Sequence, residues 1–262
     1  MIPRADIVAW RKYAPWKLNE QIEQDLLISA MVARLFADRK VSENFAFRGG
    51  TALNKLFLPE PARYSEDIDL ALITDLSSQD VIDCIINALR PLMGKPVEYK
   101  WRMRDAFFRY SIDAEIPPPK KFNIKVDIAC YDRLPLGKLQ HIPYSIDTRW
   151  YSGECEVVTY DWNELLGTKL RALFQRKRGR DLFDLWYSLT NLSCSPEKIV
   201  EFFFYYIWED PVTRDEFQNN IDEKMVDHSF INDTQDLLRS DIEYDIDEAY
   251  NILKDKLLIH LK

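Results

Sequence analysis

Apolar residues recur every three or four positions between Leu18 and Phe36, at Ile22, Leu26, Ile28, Val32 and Leu35, and this spacing predicts an amphipathic helix. The texture then changes. Phe45 to Phe47 runs into the glycine pair Gly49 and Gly50, and a short helix is expected through Leu53 and Leu56, ended by Pro59 and Pro61. Asp67 to Ile73 alternates acid and aliphatic as a strand does, which puts Asp67, Asp69 and Ala71 on one face and Ile68, Leu70 and Leu72 on the other. Ser78 to Leu92 returns to helical spacing, with Val81, Ile82, Ile85, Ile86 and Leu89 as the stripe to be buried. Val97 to Met103, Ala106 to Ile112 and Asn123 to Ala129 read as strands, and Pro117 to Pro119 as a stiff extended link between the last two. In the last of these strands Asn123, Lys125 and Asp127 share one side. Asp127 is therefore a third carboxylate carried on a strand.

A turn-rich stretch, Leu134 to Gly153, separates this part from the rest of the chain. After a short strand at Glu156 to Tyr160 the pattern is helical: Asp161 to Arg176, Arg180 to Thr190, Pro196 to Trp208, a region around Asp215 to Ser240, and Ile246 to Leu261. Asp161 followed three residues later by Glu164 resembles a capping box. The expectation is an α+β protein with a boundary between residues 155 and 156. An N-terminal α/β domain with its own N-terminal helix (1–155) would precede a C-terminal helical domain (156–262).

Composition alters this picture little. Of the 262 residues 47% are hydrophobic and 30% charged, as in an ordinary globular protein. The apolar run Ile199 to Trp208 is interrupted by Glu201 and is shorter than the roughly 20 residues a membrane span needs. Asp6 lies where a signal peptide would be apolar, so a cytoplasmic protein with no membrane association is expected. Cys84, Cys130, Cys155 and Cys194 form no C-x-x-C pair and are expected as buried free thiols, and the three histidines show no zinc-ligand spacing. The net charge of −8 excludes a surface that is basic all round. Local charge is uneven, because Lys169 to Arg180 holds six basic residues and no acid.

Three aspartates facing one way from neighbouring strands repel one another unless a cation joins them. Hard carboxylate oxygens suit Mg²⁺, and two such ions can activate an attacking hydroxyl and stabilise departing pyrophosphate. In this scheme Asp67 and Asp69 bridge both ions and Asp127 completes one of them. Gly49 and Gly50, between strand and helix, would let backbone approach a triphosphate, with a hydroxyl from Thr51 and a charge from Lys55. A glycine pair alone also marks a plain turn, and a lone D-x-D a solvated strand edge. Further along, Lys169 and Arg176 are seven apart and share a helix face that could hold phosphate, with Arg180 nearby if the helix continues past Gly179. The same segment equally reads as i,i+4 salt bridges, Lys177 to Asp181 and Arg180 to Asp184. Arg63 and Ser65 either orient the D-x-D strand or only shape the turn before it.

The order of glycine pair, D-x-D strand and later single aspartate resembles the DNA polymerase β type nucleotidyltransferase superfamily. QIEQDLLISAMVARLF, FRGGTALNKLF, RYSEDIDLAL, FNIKVDIA and ELLGTKLRALFQRKRGRDLFDLW look like the AbiEii/AbiGii abortive-infection toxin family, in order from about Glu20 to Trp186. The resemblance implies a nucleotidyltransferase-like mixed sheet with flanking helices, followed by a C-terminal helical bundle. It also implies a toxin with two Mg²⁺ ions that transfers a nucleotide from an NTP to RNA, at the tRNA acceptor end, and so blocks translation. Its antitoxin partner would be encoded nearby and need not touch it. The family's D-x-D carries over to Asp67 and Asp69, completed by Asp127, with Gly49, Gly50, Thr51 and Lys55 on the nucleotide. The family's K-x(3,4)-[KR] element falls on Lys169, but Leu173 and Phe174 stand at the family's distances, and Arg171 and Arg176 are the basic residues nearby. The later acidic motif corresponds to Asp181, as a further catalytic residue, and Asp184. Two other readings are an NTP-binding protein of this fold without transfer, and a transferase acting on a protein or small molecule.

Overall fold

The alternation of Asp67 to Leu72 is realised as strand β2 (Asp67–Leu72), whose apolar side chains face a helical layer while its two aspartates face away from it. The computed structural model describes residues 2–102, 105–115, 121–132, 134–207 and 212–262. The expected Pro117 to Pro119 link, and the element ends expected at Met103 and Trp208, lie outside these residues. The chain divides into two compact units, Met1–Tyr160 and Asp161–Lys262. The division falls just after strand β7 (Ser152–Thr159), which the expected boundary at 155/156 would have cut.

Among the described residues of the first unit, seven strands form one mixed sheet in the order β3-β4-β5-β2-β1-β7-β6. Besides β2 and β7 these are β1 (Phe45–Arg48), β3 (Glu98–Arg102), β4 (Asp105–Asp113), β5 (Lys121–Ala129) and β6 (Gln140–Asp147). β2 is the hinge of the topology. It runs antiparallel to β1 and parallel to β5, so that Asp69 is the register partner of Arg48 on one side and of Asp127 on the other. The covered face is built from Phe45, Phe47, Ile68, Leu70, Phe108, Tyr110, Ile124, Val126 and Ile128, all buried. Helices α2 (Asn19–Phe36) and α5 (Ser78–Met93) lie in the layer over it, and Phe36 of α2 meets Phe47 of β1 with ring centroids 6.2 Å apart.

Three elements depart from the expectations. The stretch Leu134 to Gly153, read as turns, contains β6 and the start of β7, paired antiparallel through Gln140 to Thr159. Pro143 disguised β6, but β6 is an edge strand, where a missing N–H costs no ladder bond. The helix α2 is amphipathic in sequence yet buries 15 of its 18 residues. Its polar side is covered by the N-terminal segment, including α1 (Arg4–Trp10), and satisfied within the protein: Trp10 Nε1 and Trp16 Nε1 donate to Asp25, at 2.9 and 3.2 Å. A short helix α3 (Arg39–Asn44) then leads into β1. The expected helix after the glycine pair is a four-residue α-turn, α4 (Gly49–Ala52), which widens into a π-helical turn at Leu53–Phe57. Such turns are uncommon and favour functional sites.

The second unit is helical among its described residues: α6 (Trp162–Gln175), α7 (Gly179–Asn191), α8 (Pro196–Tyr206), α9 (Arg214–Met225), α10 (His228–Ile231) and α11 (Ile246–Lys256). Leu166, Leu170, Leu173, Leu182, Leu185, Phe203, Phe217, Ile221 and Leu253 form its core. Asp161 caps α6 through the Asn163 amide, but Glu164 does not complete a capping box. It is fully buried and accepts the Tyr206 hydroxyl at 2.6 Å instead. Among the described residues no helix is long and apolar enough to cross a membrane. All four cysteines are free, although only Cys84 is buried. Phe47 sits under the Arg48–Gly49 turn, so Phe47→Ala is expected to destabilise the protein by about 3–5 kcal/mol, against under about 1.5 kcal/mol for Phe47→Leu. Denaturant titration followed by circular dichroism measures both.

Candidate active site

The site begins with strand pairing. Because β2 and β5 are parallel neighbours, the period-two alternation of each places Asp67, Asp69 and Asp127 on the open face, with Asp69 directly beside Asp127 and Asp67 beside Lys125. Strands in a sheet are about 4.8 Å apart, so these carboxylates share a small region. Asp127 records the crowding: burial, then the charges of Asp69 and Asp67, push its carboxyl up to about 7, against a smaller lowering by Lys125. Its Oδ1 is buried with no hydrogen-bond partner. An all-carboxylate donor set with an orphaned buried oxygen fits a hard divalent cation. The three are not drawn together as a finished cage, and no group of three His, Cys, Asp or Glu among the described residues is. Asp67 Oδ1 lies 3.7 Å from Lys125 Nζ.

Gly49 serves these carboxylates directly. It sits at φ +78°, and a Cβ there would lie 2.1 Å from Asp69 Oδ2. Only glycine leaves room for that carboxylate against the turn. Gly50 is buried behind it, its carbonyl accepting from Asn54 Nδ2 at 2.9 Å. Thr51 is also buried, and its hydroxyl donates to the Asp67 carbonyl at 2.5 Å and lies 2.8 Å from Ser65 Oγ. Thr51 and Ser65 therefore tie α4 to the start of β2. Arg63, 2% exposed, donates to the Tyr64 carbonyl and braces the same turn.

Lys55 is placed differently from the expectation that it contacts phosphate. Its Nζ donates to Asp25 Oδ1 (3.1 Å) and Ser29 Oγ (2.9 Å). Burial alone would lower its pKa, but the Asp25 charge outweighs burial and raises it. Lys55 thus fastens the π-helical turn to α2. Arg48 was not among the residues expected at the site. This side chain pairs with Asp132 at 2.9 Å and lies 5.9 Å over the Tyr160 ring. Burial disfavours its charge, while Tyr160, Asp132 and then Asp69 favour it, with a net rise in pKa. The only local signal was its place as the last residue of an apolar strand, immediately before the glycine pair.

The second unit holds the remaining expected residues. Lys169, 7% exposed, donates to Asp181 Oδ1 at 3.1 Å and lies 2.9 Å from Asp184 Oδ2. Arg176 donates to both oxygens of Asp181, at 2.7 and 2.8 Å. The helix does not continue past Gly179. α6 ends at Gln175, Arg176 is extended, and α7 begins afresh, so the shared face arises from the bend rather than from helical spacing. The i,i+4 pairs do not form: Lys177 meets Asp227 at 2.9 Å, and Arg178 and Arg180 meet Asp233 at 3.4 and 3.6 Å. Arg171 donates to the Tyr206 carbonyl at 3.0 Å and lies over its ring. All six basic residues of Lys169 to Arg180 therefore have partners within their own unit. Burial by itself would raise the Asp181 carboxyl, but Lys169 and Arg176 hold it down to about 2.

Gly49→Ala, which adds a clash with Asp69 to the backbone strain, is expected to cost about 2–6 kcal/mol and to displace Asp69, whereas Gly94→Ala, at φ +69° and ψ −144° with nothing within 4 Å, pays only the backbone strain of about 1–3 kcal/mol. Thermal melts of the two variants compare them. Asp181 is depressed from its ordinary 3.8 in the folded state, so its stabilisation is complete above pH 4 and is lost as pH falls toward 2. Lys169→Met, which removes the cation between buried Asp181 and Asp184 and leaves Asp181 to Arg176 alone, should cost about 3–5 kcal/mol at neutral pH and less in acid. Urea titrations at pH 7 and pH 3 test this.

Comparison with known proteins matches this architecture to one family. A model of the nucleotidyl transferase AbiEii toxin of type IV toxin–antitoxin systems matches residues 30–252. No curated protein sequence matches significantly. Among solved structures the chain is similar to MenT4, a nucleotidyltransferase toxin from Mycobacterium tuberculosis H37Rv, at 12% identity and TM-score 0.60, covering 98% of this chain and 99% of that one. It is also similar to an antigenic nucleotidyltransferase-like protein from Paracoccidioides brasiliensis, at 15% identity and TM-score 0.40, over 74% and 92% of the two chains. The likeness to MenT4 concerns the fold. The family match spans most of the sequence, and the chain belongs to the AbiEii nucleotidyl transferase toxin family of type IV toxin–antitoxin systems.

Proposed function

We propose that the protein is a Mg²⁺-dependent nucleotidyltransferase that moves a nucleotide from an NTP to a hydroxyl of RNA, at the tRNA acceptor end, and so blocks translation. The observation that carries this reading is the placement of Asp69 beside Asp127, with Asp67 on the same face, around a buried carboxylate oxygen that has no partner. Asp67, Asp69 and Asp127 would hold Mg²⁺, which supplies charge neutralisation at the phosphates and activation of the attacking hydroxyl. The remaining work belongs to the protein. Gly49 admits the Asp69 carboxylate close to the turn, Thr51 and Ser65 fix the backbone at Asp67, and Arg48 braces the strand end beside Asp69. In the reaction the acceptor oxygen bonds to the α-phosphorus, the bond to pyrophosphate breaks, and the hydroxyl proton leaves to solvent.

The Lys169 to Arg180 stretch contributes less to this reading than its composition suggested. Lys169 and Asp181 act as positioning residues that join α6 to α7, and the pairing of the other cations leaves protein or small-molecule acceptors as the second reading. Family membership implies an antitoxin, and we place its gene beside this one.

The test incubates the purified chain with each labelled NTP, Mg²⁺ and total tRNA, a protein extract or small metabolites, and reads the labelled product. Label on tRNA is expected, lost on chelation, with Asp67→Ala and Asp69→Ala slower by about 10²–10⁴-fold, the weight of several kcal/mol of metal-assisted stabilisation. Transfer by Asp67→Ala at the wild-type rate sinks the proposal. Label on protein alone replaces it with the second reading, and bound nucleotide without any product with a binding protein.

A further inference from the structure

Asp69 and Asp127 lie on a row that crosses five strands. Register partners run Lys100 on β3, Phe107 on β4, Asp127 on β5, Asp69 on β2 and Arg48 on β1. The next row on the same face, one pleat or roughly 7 Å away, runs Glu98, Arg109, Lys125 and Asp67. Beyond Asp127 the open face of β3, β4 and β5 thus carries Lys100, Arg102, Arg109 and Lys125 around the half-buried ring of Phe107, with Lys121 three rows further along β5, and the Arg102 guanidinium lies 5.8 Å from that ring. The opposite face of the same strands holds the buried Ala106, Phe108, Tyr110, Ile124, Val126 and Ile128, so an aromatic on the open side is not there to fill the core.

We propose that this β3–β4–β5 wing seats a single-stranded, phosphate-bearing acceptor, with a base stacked on Phe107 beside Asp127 and phosphates along Lys100, Arg102, Arg109 and Lys125. The inference rests on the reading of the protein as an RNA nucleotidyltransferase and names the surface that presents the acceptor. Charge and shape favour a nucleic acid strand. Five cations face three acids (Glu98, Asp105 and Asp113) outside the carboxylate site, on a chain whose total charge is −8. The pairs they form within the wing are solvent-exposed: Lys100 and Arg109 each lie 3.0 Å from Glu98, and Lys121 lies 3.8 Å from Asp113, while Lys125 lies 3.7 Å from Asp67 of the carboxylate site. Such pairs are worth little, so phosphates can replace the acids at small cost. An acidic peptide would use the cations but leave the ring idle, whereas a base gains from its π-face whatever its sequence.

The experiment measures binding of a labelled single-stranded RNA with a free 3′ hydroxyl to the full chain by fluorescence anisotropy across a salt series. Phe107→Leu, which keeps the apolar volume, should weaken binding about tenfold. Lys100→Gln and Arg109→Gln should each reduce the slope of log K against log salt by about 0.7. Asp69→Asn should still bind RNA while losing transfer, and in turnover Phe107→Leu should raise the KM for RNA about tenfold and leave the KM for NTP unchanged. Wild-type affinity and salt slope in all three wing variants overturn the assignment, as does an acidic peptide that competes as well as the RNA. Because binding is read without turnover, failure of transfer in the wild type counts against the proposed function alone, and the anisotropy still decides the wing.

Discussion

Like charges directly opposite each other on neighbouring strands destabilise a sheet, and the first unit is organised around holding Asp69 and Asp127 in that position. The repulsion is tolerated because the strands carrying it are fixed from behind. Ile68, Leu70, Val126 and Ile128 are each almost wholly removed from water, and burial of such side chains contributes about 1.5–3 kcal/mol apiece. Slipping either strand by one residue would relieve the charges but turn this apolar set outward. Register is therefore decided on the covered face and merely endured on the open one. Arg48 at one end of the row and Lys125 beside Asp67 reduce the cost, while burial first, and then the charges of Asp69 and Asp67, still raise the Asp127 carboxyl.

The turn around Gly49 answers to the same constraint. A left-handed residue pressed against Asp69 Oδ2 is a local liability, and the surroundings over-determine it. Asn54 reaches back to the Gly50 carbonyl and also accepts from the Ala62 and Arg63 amides, so the chain on both sides of the loop hangs from one side chain. Lys55 then anchors the π-helical turn on Asp25, which also accepts from two tryptophans of the N-terminal segment. Asp25 and Ser29, two of the buried polar residues of α2, are thus explained by the turn they support. A carboxylate bonded to three donors is satisfied in the interior, where an unpaired one would not be.

What the sequence made legible was whatever depends on local period. The alternations in β2 and β5 placed all three aspartates on one face, and α5 formed over Ser78–Met93, burying Val81, Ile85 and Leu89 of its expected stripe together with Cys84 and Ala88, while Ile82 and Ile86 stay half-buried. Roles that depend on distant partners were not legible. Lys55 looked available because nothing near it in sequence announces Asp25, thirty residues earlier, and Lys169 looked available because Asp181 and Asp184 approach only after the chain bends between α6 and α7. β6 was hidden for a different reason. Its pairing with β7 leaves half of its residues exposed, and Pro143 imitates a turn signal.

The basic residues show why a run of charge along a chain is a poor guide to a patch in space. Lys169 to Arg180 is the densest basic run of the sequence, yet helix geometry turns its members in different directions, and Asp181, Asp184, Asp227 and Asp233 meet five of the six. The cations of the wing are spread over more than twenty residues, from Lys100 to Lys125, and are interrupted by aromatic and apolar positions. A period of two and antiparallel pairing gather them on one surface, because every second residue of three adjacent strands must face the same way. On an acidic protein such a surface need not be strongly positive to steer a polyanion, since it is the gradient from the surrounding negative field that directs the approach. The carboxylates at the end of that gradient are where a hydroxyl carried by the polyanion would arrive.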